Sequence, residues 1–229
     1  VIANQLQSWR ERYPSLGYIA PFATVLLLLA APKPASLIYW EWPIQTLVVA
    51  LVCFLTWPKD ASFQVSYWFL SMIAGVVTLL LWIGPEVINP KYRDFFLFSN
   101  FIVGHAGSSL RAEALKSNWV LFWRTVRAST VVPVAEELFW RAWLMRWLIN
   151  SDFQKLPLGA YAPVAFWVTA LLFGAEHGPY WDVGLLTGVI YNFWMLRTKS
   201  LGDCILVHAV TNLIMSLYVI EYGQWQYWQ

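Results

Sequence analysis

Glu136, Glu137 and Arg141 sit inside VVPVAEELFWRAWLMRWLI, an otherwise apolar and Trp-rich run. A charge inside a membrane helix costs roughly several kcal/mol or more, and such residues are rare unless they pair or do chemistry. Glu137 and Arg141 are four apart, so on a helix they share a face and can form an ion pair. Glu136 is turned away by one position and lacks that partner. A carboxylate without a matched cation in apolar surroundings is suited to exchange a proton near neutral pH, as a general base must. Paired Glu137 is expected to stay ionised. Three further polar residues interrupt two apolar runs downstream: His177 in LLFGAEHG, and His208 with Asn212 in ILVHAVTN. His208 and Asn212 are four apart and share a helix face. Imidazole and carboxamide are donors of little charge, suited to an oxyanion that forms only in a transition state.

Helices in a membrane must position these groups. Of the 229 residues, 59% are hydrophobic and only 12% charged, against about 25% charged in a soluble domain. Aromatics make up 18%, with 16 Trp and 11 Tyr, the residue types that favour membrane–water interfaces. The chain reads as an integral, multi-pass membrane protein, located in the plasma membrane if prokaryotic. The net charge of +2 gives no support for a nucleic-acid partner. Cys53 and Cys204 lie far apart and form no CxxC pair, so thiolate zinc is not expected.

The fold class expected is all-α: a polytopic membrane helix bundle of roughly seven or eight transmembrane helices. Apolar runs place spans at 17–31, 44–57, 65–84, 134–149, 161–174, 183–196 and 205–220. Residues 118–130 form a helix partly in the interface or a buried span facing polar partners. Proline follows several of these runs, as expected for a residue that cannot continue a helix. Arg124 and Arg127, three apart, suit lipid headgroups, or alternatively a substrate carboxylate. The polar connection 86–117 is expected to hold interfacial or amphipathic helices. The basic residues, Arg10, Arg12, Lys59, Lys155, Arg197 and Lys199, do not fall clearly on one side, so orientation stays open. A single membrane domain over 1–229 is expected.

Each polar residue also has a plainer use. A Glu–Arg pair can merely orient helices, and His with Asn commonly bonds between helices in membranes. Gly184 and Gly188 form GxxxG, read as close packing. His105, flanked by glycines, reads as a loop residue. Glu176, beside His177, reads as lying on another face.

Taken in order, Glu136-Glu137-x-x-x-Arg141, Phe173-x-x-x-His177 and His208-x-x-x-Asn212 resemble the CAAX protease and bacteriocin-processing (ABI) family. The resemblance spans residues 118–222, the family-like catalytic core. The Trp-rich character is similar to its prokaryotic CAAX prenyl protease-related branch. Membership implies a glutamate-dependent intramembrane endopeptidase with no metal and no cofactor, acting on a peptide or protein substrate at the lipid bilayer. It implies that Glu136 and His177 polarise a water and that His208 and Asn212 hold the oxyanion. Glu137 and Arg141 then fix the Glu136 helix, and Phe173 lines the substrate site. Two rivals stand beside it. A zinc peptidase would draw on Glu136, His177 and His208, but no HExxH is present. A non-catalytic membrane scaffold, immunity or accessory protein of the same fold would need none of this chemistry.

Overall fold

A computed structural model describes residues 12–228. Arg10 and the other residues of 1–11 lie outside the described residues, as does 229. The fold is all-helical. In chain order run α1 (Leu16–Ala30), α2 (Glu41–Thr56), α3 (Trp68–Ile88), α4 (Asn118–Ser129), α5 (Val131–Glu137), α6 (Pro163–Ala175), α7 (Trp181–Thr198) and α8 (Leu201–Tyr222). Helix α5 does not stop at Glu137. It continues as a π-helical segment, Leu138–Leu144, and a last α turn, Met145–Trp147.

Local sequence explains many of the boundaries. Ser117 caps α4 by accepting from the Val120 N–H, and Pro163 opens α6 at its first helical position. Ser200 caps α8 through the Asp203 N–H, and Gly223, with φ of 65°, ends it in the left-handed conformation. One boundary differs from expectation. Helix α3 passes Gly84–Pro85 and ends at Ile88, with Pro85 inside its last turn. A proline there forfeits one backbone bond, and its own carbonyl still accepts from Asn89 N–H at 2.9 Å. The amphipathic helices expected in 86–117 are also not formed. That stretch holds a 3-10 turn, Tyr92–Asp94, and a single helical turn, Ala112–Leu115. Its apolar residues are clustered, as in DFFLFSNF, rather than spaced at three and four, so no helical face exists to bury.

Helix α8 is the hub. It packs on α3, α4, α5 and α7, while α6 lies along α7 and α1 along α2. Buried Asp203 locks α8 to the start of α3. Its carboxylate accepts from Ser66 N–H, Tyr67 N–H and Ser71 Oγ–H, each at 2.9 Å.

Polarity is arranged inside out. Arg141, Glu137, Asn192 and Asp203 are fully buried, whereas Leu27, Phe54, Val164 and Phe193 are exposed. An apolar exterior of this extent is not that of a soluble monomer. Helices α3 and α8 are long and apolar enough to cross a membrane, and α1, α2 and α6 are shorter apolar helices. The chain is an integral membrane protein with α3 and α8 as candidate spans.

Candidate active site

The three sequence motifs converge. Glu136, Phe173, Glu176, His177, His208 and Asn212 all line one cavity of about 530 Å³. Helix α5 supplies the acids, α6 and the turn after it supply Phe173 to His177, and α8 supplies His208 and Asn212. A larger apolar groove of about 980 Å³, beside Cys53 and Val134, contains none of these residues.

Glu137 and Arg141 are both 0% exposed and bridge at 3.1 Å, Nη1 donating to Oε1. The same Oε1 lies 2.8 Å from His208 Nδ1. An ionised carboxylate only accepts, so His208 carries a proton on Nδ1. Arg141 Nε donates to Asn192 Oδ1 at 3.2 Å, and Asn192 Nδ2 donates to the Phe166 carbonyl at 2.8 Å. The guanidinium also sits 4.3 Å from the Phe173 ring centre. Arg141 therefore ties α5 to α6 and α7 as well as holding Glu137. The π segment begins immediately after Glu137, a type of irregularity frequent at functional sites.

Glu136 is arranged differently. Its side chain is 12% exposed, and Oε2 lies 3.9 Å from His208 Nε2. That separation is too long for a direct hydrogen bond, and Oε2 has no hydrogen-bond partner among the described residues. His208 thus stands between the two glutamates, bonded to Glu137 through Nδ1 and facing Glu136 through Nε2.

His177 caps a 3-10 turn, Gly178–Tyr180, just past the end of α6. Its Nδ1 is 2.6 Å from the Phe173 carbonyl. A carbonyl can only accept, so Nδ1 bears the proton and Nε2 is the acceptor of the neutral ring. Gly184 backs the ring: a Cβ there would stand 3.1 Å from His177 Nδ1. The GxxxG reading holds and gains a use, because Gly184 lets α7 approach the imidazole. Gly188 lies equally close to Ala170.

Several expectations change in detail. Glu176 does not lie on another face; it lines the same cavity as Glu136, because the helix ends at Ala175 and the next residues turn away from its axis. Asn212 Nδ2 donates to the Ala128 carbonyl at 2.9 Å, which commits one of its two N–H groups to α4. Arg124 and Arg127 are buried rather than exposed, and Arg124 lines the same cavity as Glu136. Arg124 stacks 4.2 Å from Trp228, and both arginines face Trp42. His105 is on a loop, as expected, but it bonds Ser99 six residues back. Glu136, His177 and His208 do not form a three-ligand metal cluster among the described residues.

Sequence reasoning missed Asn192, Tyr191 and Thr211. Tyr191 packs 5.2 Å from the His208 ring and donates to Thr211 at 2.9 Å, and Thr211 donates on to the Gly75 carbonyl at 3.0 Å. A buried asparagine in an apolar helix was the available signal for Asn192. Residues 118–214 match a family model described as Rce1-like: Type II CAAX prenyl endopeptidase Rce1-like. No curated protein and no solved structure matches the chain.

Proposed function

From the premise that residues 118–214 form a domain of the Rce1-like CAAX protease family, we propose that the protein is a glutamate-dependent intramembrane endopeptidase. The observation that carries this reading is Glu136 itself: a cavity-lining carboxylate whose Oε2 has no hydrogen-bond partner among the described residues and faces the His208 imidazole at 3.9 Å.

In this mechanism a water enters the cavity beside Glu136 and hydrogen-bonds to His177 Nε2. Glu136 takes its proton as the hydroxyl oxygen attacks the peptide carbonyl. Charge moves to the carbonyl oxygen, where His208 Nε2 and the second N–H of Asn212 donate. For Nε2 to donate while Nδ1–H stays on Glu137, the ring must carry both protons; Arg141 is already paired with Glu137, so the second negative charge of the site is that of Glu136. Glu137 and Arg141 thus act as positioning residues, and the aromatic ring of Phe173 lines the substrate channel. Glu136 returns its proton to the leaving amine, so atoms and charge balance over the cycle.

The same reading treats the described chain as one polytopic membrane unit with residues 118–222 as its core. Helices that do not qualify singly as spans cross the bilayer within the same bundle as α3 and α8, which keeps the cavity walled by protein. The substrate is a peptide or protein segment at the membrane.

Glu136→Gln keeps shape and removes the base. It is expected to lower cleavage by about 10²–10⁴-fold, the usual worth of general-base catalysis, while thermal unfolding stays unchanged. Comparing the membrane proteome of a deletion strain with that of a Glu136→Gln strain identifies the substrate as a precursor accumulating in both. A fully active Glu136→Gln enzyme removes Glu136 as base. A Glu136→Gln strain that matches wild type, where the deletion strain does not, favours the scaffold.

A further inference from the structure

The connection between α3 and the helical turn Ala112–Leu115 carries the most exposed apolar side chains outside the helices. Phe96 is 75% exposed, Phe101 91% and Ile102 78%, with Phe95 and Leu97 also uncovered. Yet the segment is not loose. Asn100 and Gly104 pair as an antiparallel bridge, with N–H···O distances of 3.2 and 2.9 Å. The Asn100 Oδ1 accepts from Ile102 N–H at 2.9 Å and Val103 N–H at 3.2 Å, and its Nδ2 donates to the Phe96 carbonyl at 2.6 Å. Gly104 closes the turn at a φ of 82°, which glycine adopts without strain. Ser99 bonds His105 across the base.

The hairpin is mounted on the bundle. Trp181 Nε1 donates to the Leu97 carbonyl at 2.9 Å, and Phe98 stacks on Tyr92 at 4.7 Å. Buried Arg93 donates to the Pro179 carbonyl at 2.8 Å and bridges to Asp182. The loop is thereby fastened to the turn that carries His177.

Rigid apolar side chains on a backbone that satisfies many of its own hydrogen bonds suit an environment poor in water. The surface is continuous with membrane-facing structure: α3, a candidate span, ends in exposed Val87 and Ile88 just before it. Exposed Lys91 flanks it, a residue suited to the phosphate layer. We propose that residues 95–104 form an interfacial hairpin whose Phe101–Ile102 tip inserts into the lipid bilayer at the headgroup–acyl boundary. The depth follows from the backbone. Irregular structure is excluded from lipid-exposed hydrocarbon, so the tip enters the boundary and does not cross. This insertion is independent of the peptidase reading.

The test uses the full chain in vesicles of phosphatidylcholine with phosphatidylglycerol. Cys53 and Cys204 are both buried, so an introduced surface thiol is the reactive one, and the unsubstituted chain is the labelling blank. Phe101→Cys, Ile102→Cys and Ser108→Cys each carry a nitroxide, and collisions with oxygen and with a water-soluble nickel chelate are compared. Oxygen is expected to exceed the chelate at 101 and 102, and the order to reverse at 108. A fluorophore at Phe96→Cys, quenched by headgroup-labelled lipid more than by tail-end-labelled lipid, gives the same answer by a second route. Chelate collisions dominating at both 101 and 102 overturn the proposal, and are what a protein-docking surface in water would give.

Discussion

Arg141→Ala tests whether the buried ion pair is the structural clamp of the site. Glu137 and Arg141 are each 0% exposed, so neither charge has water to fall back on. Removing the guanidinium leaves the Glu137 carboxylate with His208 Nδ1 as its remaining bonded partner, and strands Asn192 Oδ1. Orphaning one member of a buried pair costs about 3–5 kcal/mol. Loss of the cation over Phe173 acts in the same direction, and because these terms share one side chain they do not simply add. A destabilisation of at least about 3 kcal/mol is therefore expected. Arg141→Lys keeps charge but loses the planar fork that serves Glu137 and Asn192 together, and should cost about 1–2 kcal/mol. The double variant Glu137→Gln with Arg141→Met removes both charges and should lie within about 2 kcal/mol of the native chain. Equilibrium unfolding of purified protein in mixed micelles, titrated with SDS and followed by far-UV circular dichroism, measures all three. A loss below about 1 kcal/mol for Arg141→Ala refutes the reasoning. So does a double variant as unstable as the single, because the two charges would then not be coupled.

Gly184→Ala places a Cβ 3.1 Å from His177 Nδ1; overpacking of this kind costs about 1–3 kcal/mol, and the His177 side-chain NMR signals should move while those of His208 stay. Asp203→Ala removes the acceptor of three hydrogen bonds; a loss of about 3 kcal/mol is expected, with faster amide exchange at Ser66 and Tyr67. Arg93→Gln frees the Pro179 carbonyl and Asp182. Its expected signature is broadened His177 signals in histidine-selective NMR, a spectrum simplified by the chain having only three histidines, with recovery in Arg93→Lys.

Much of the site was legible because its signals are local. Each apolar run expected as a span corresponds to a helix, although only α3 and α8 among the described residues are long and apolar enough to cross a membrane; apolar runs bounded by proline, glycine and serine specify helix limits within the chain itself. The pairing of Glu137 with Arg141 follows from four-residue spacing, and close packing at Gly184 from the small-xxx-small pattern. The stretch 86–117 was misread for a related reason: its apolar residues lack a helical period, and composition alone suggested a helix.

Sequence by itself determined which residues were chemically able, and that most of them belong to apolar helices. Tertiary structure decided who meets whom. That Asp203 binds the start of α3 across a separation of more than 130 residues, that Asn192 steadies Arg141, and that His208 stands between two glutamates all depend on how helices cross. Helical spacing fixes neighbours only within a turn or two. Contacts between helices are set by which ridges and small residues allow approach, and that is a property of the packed bundle.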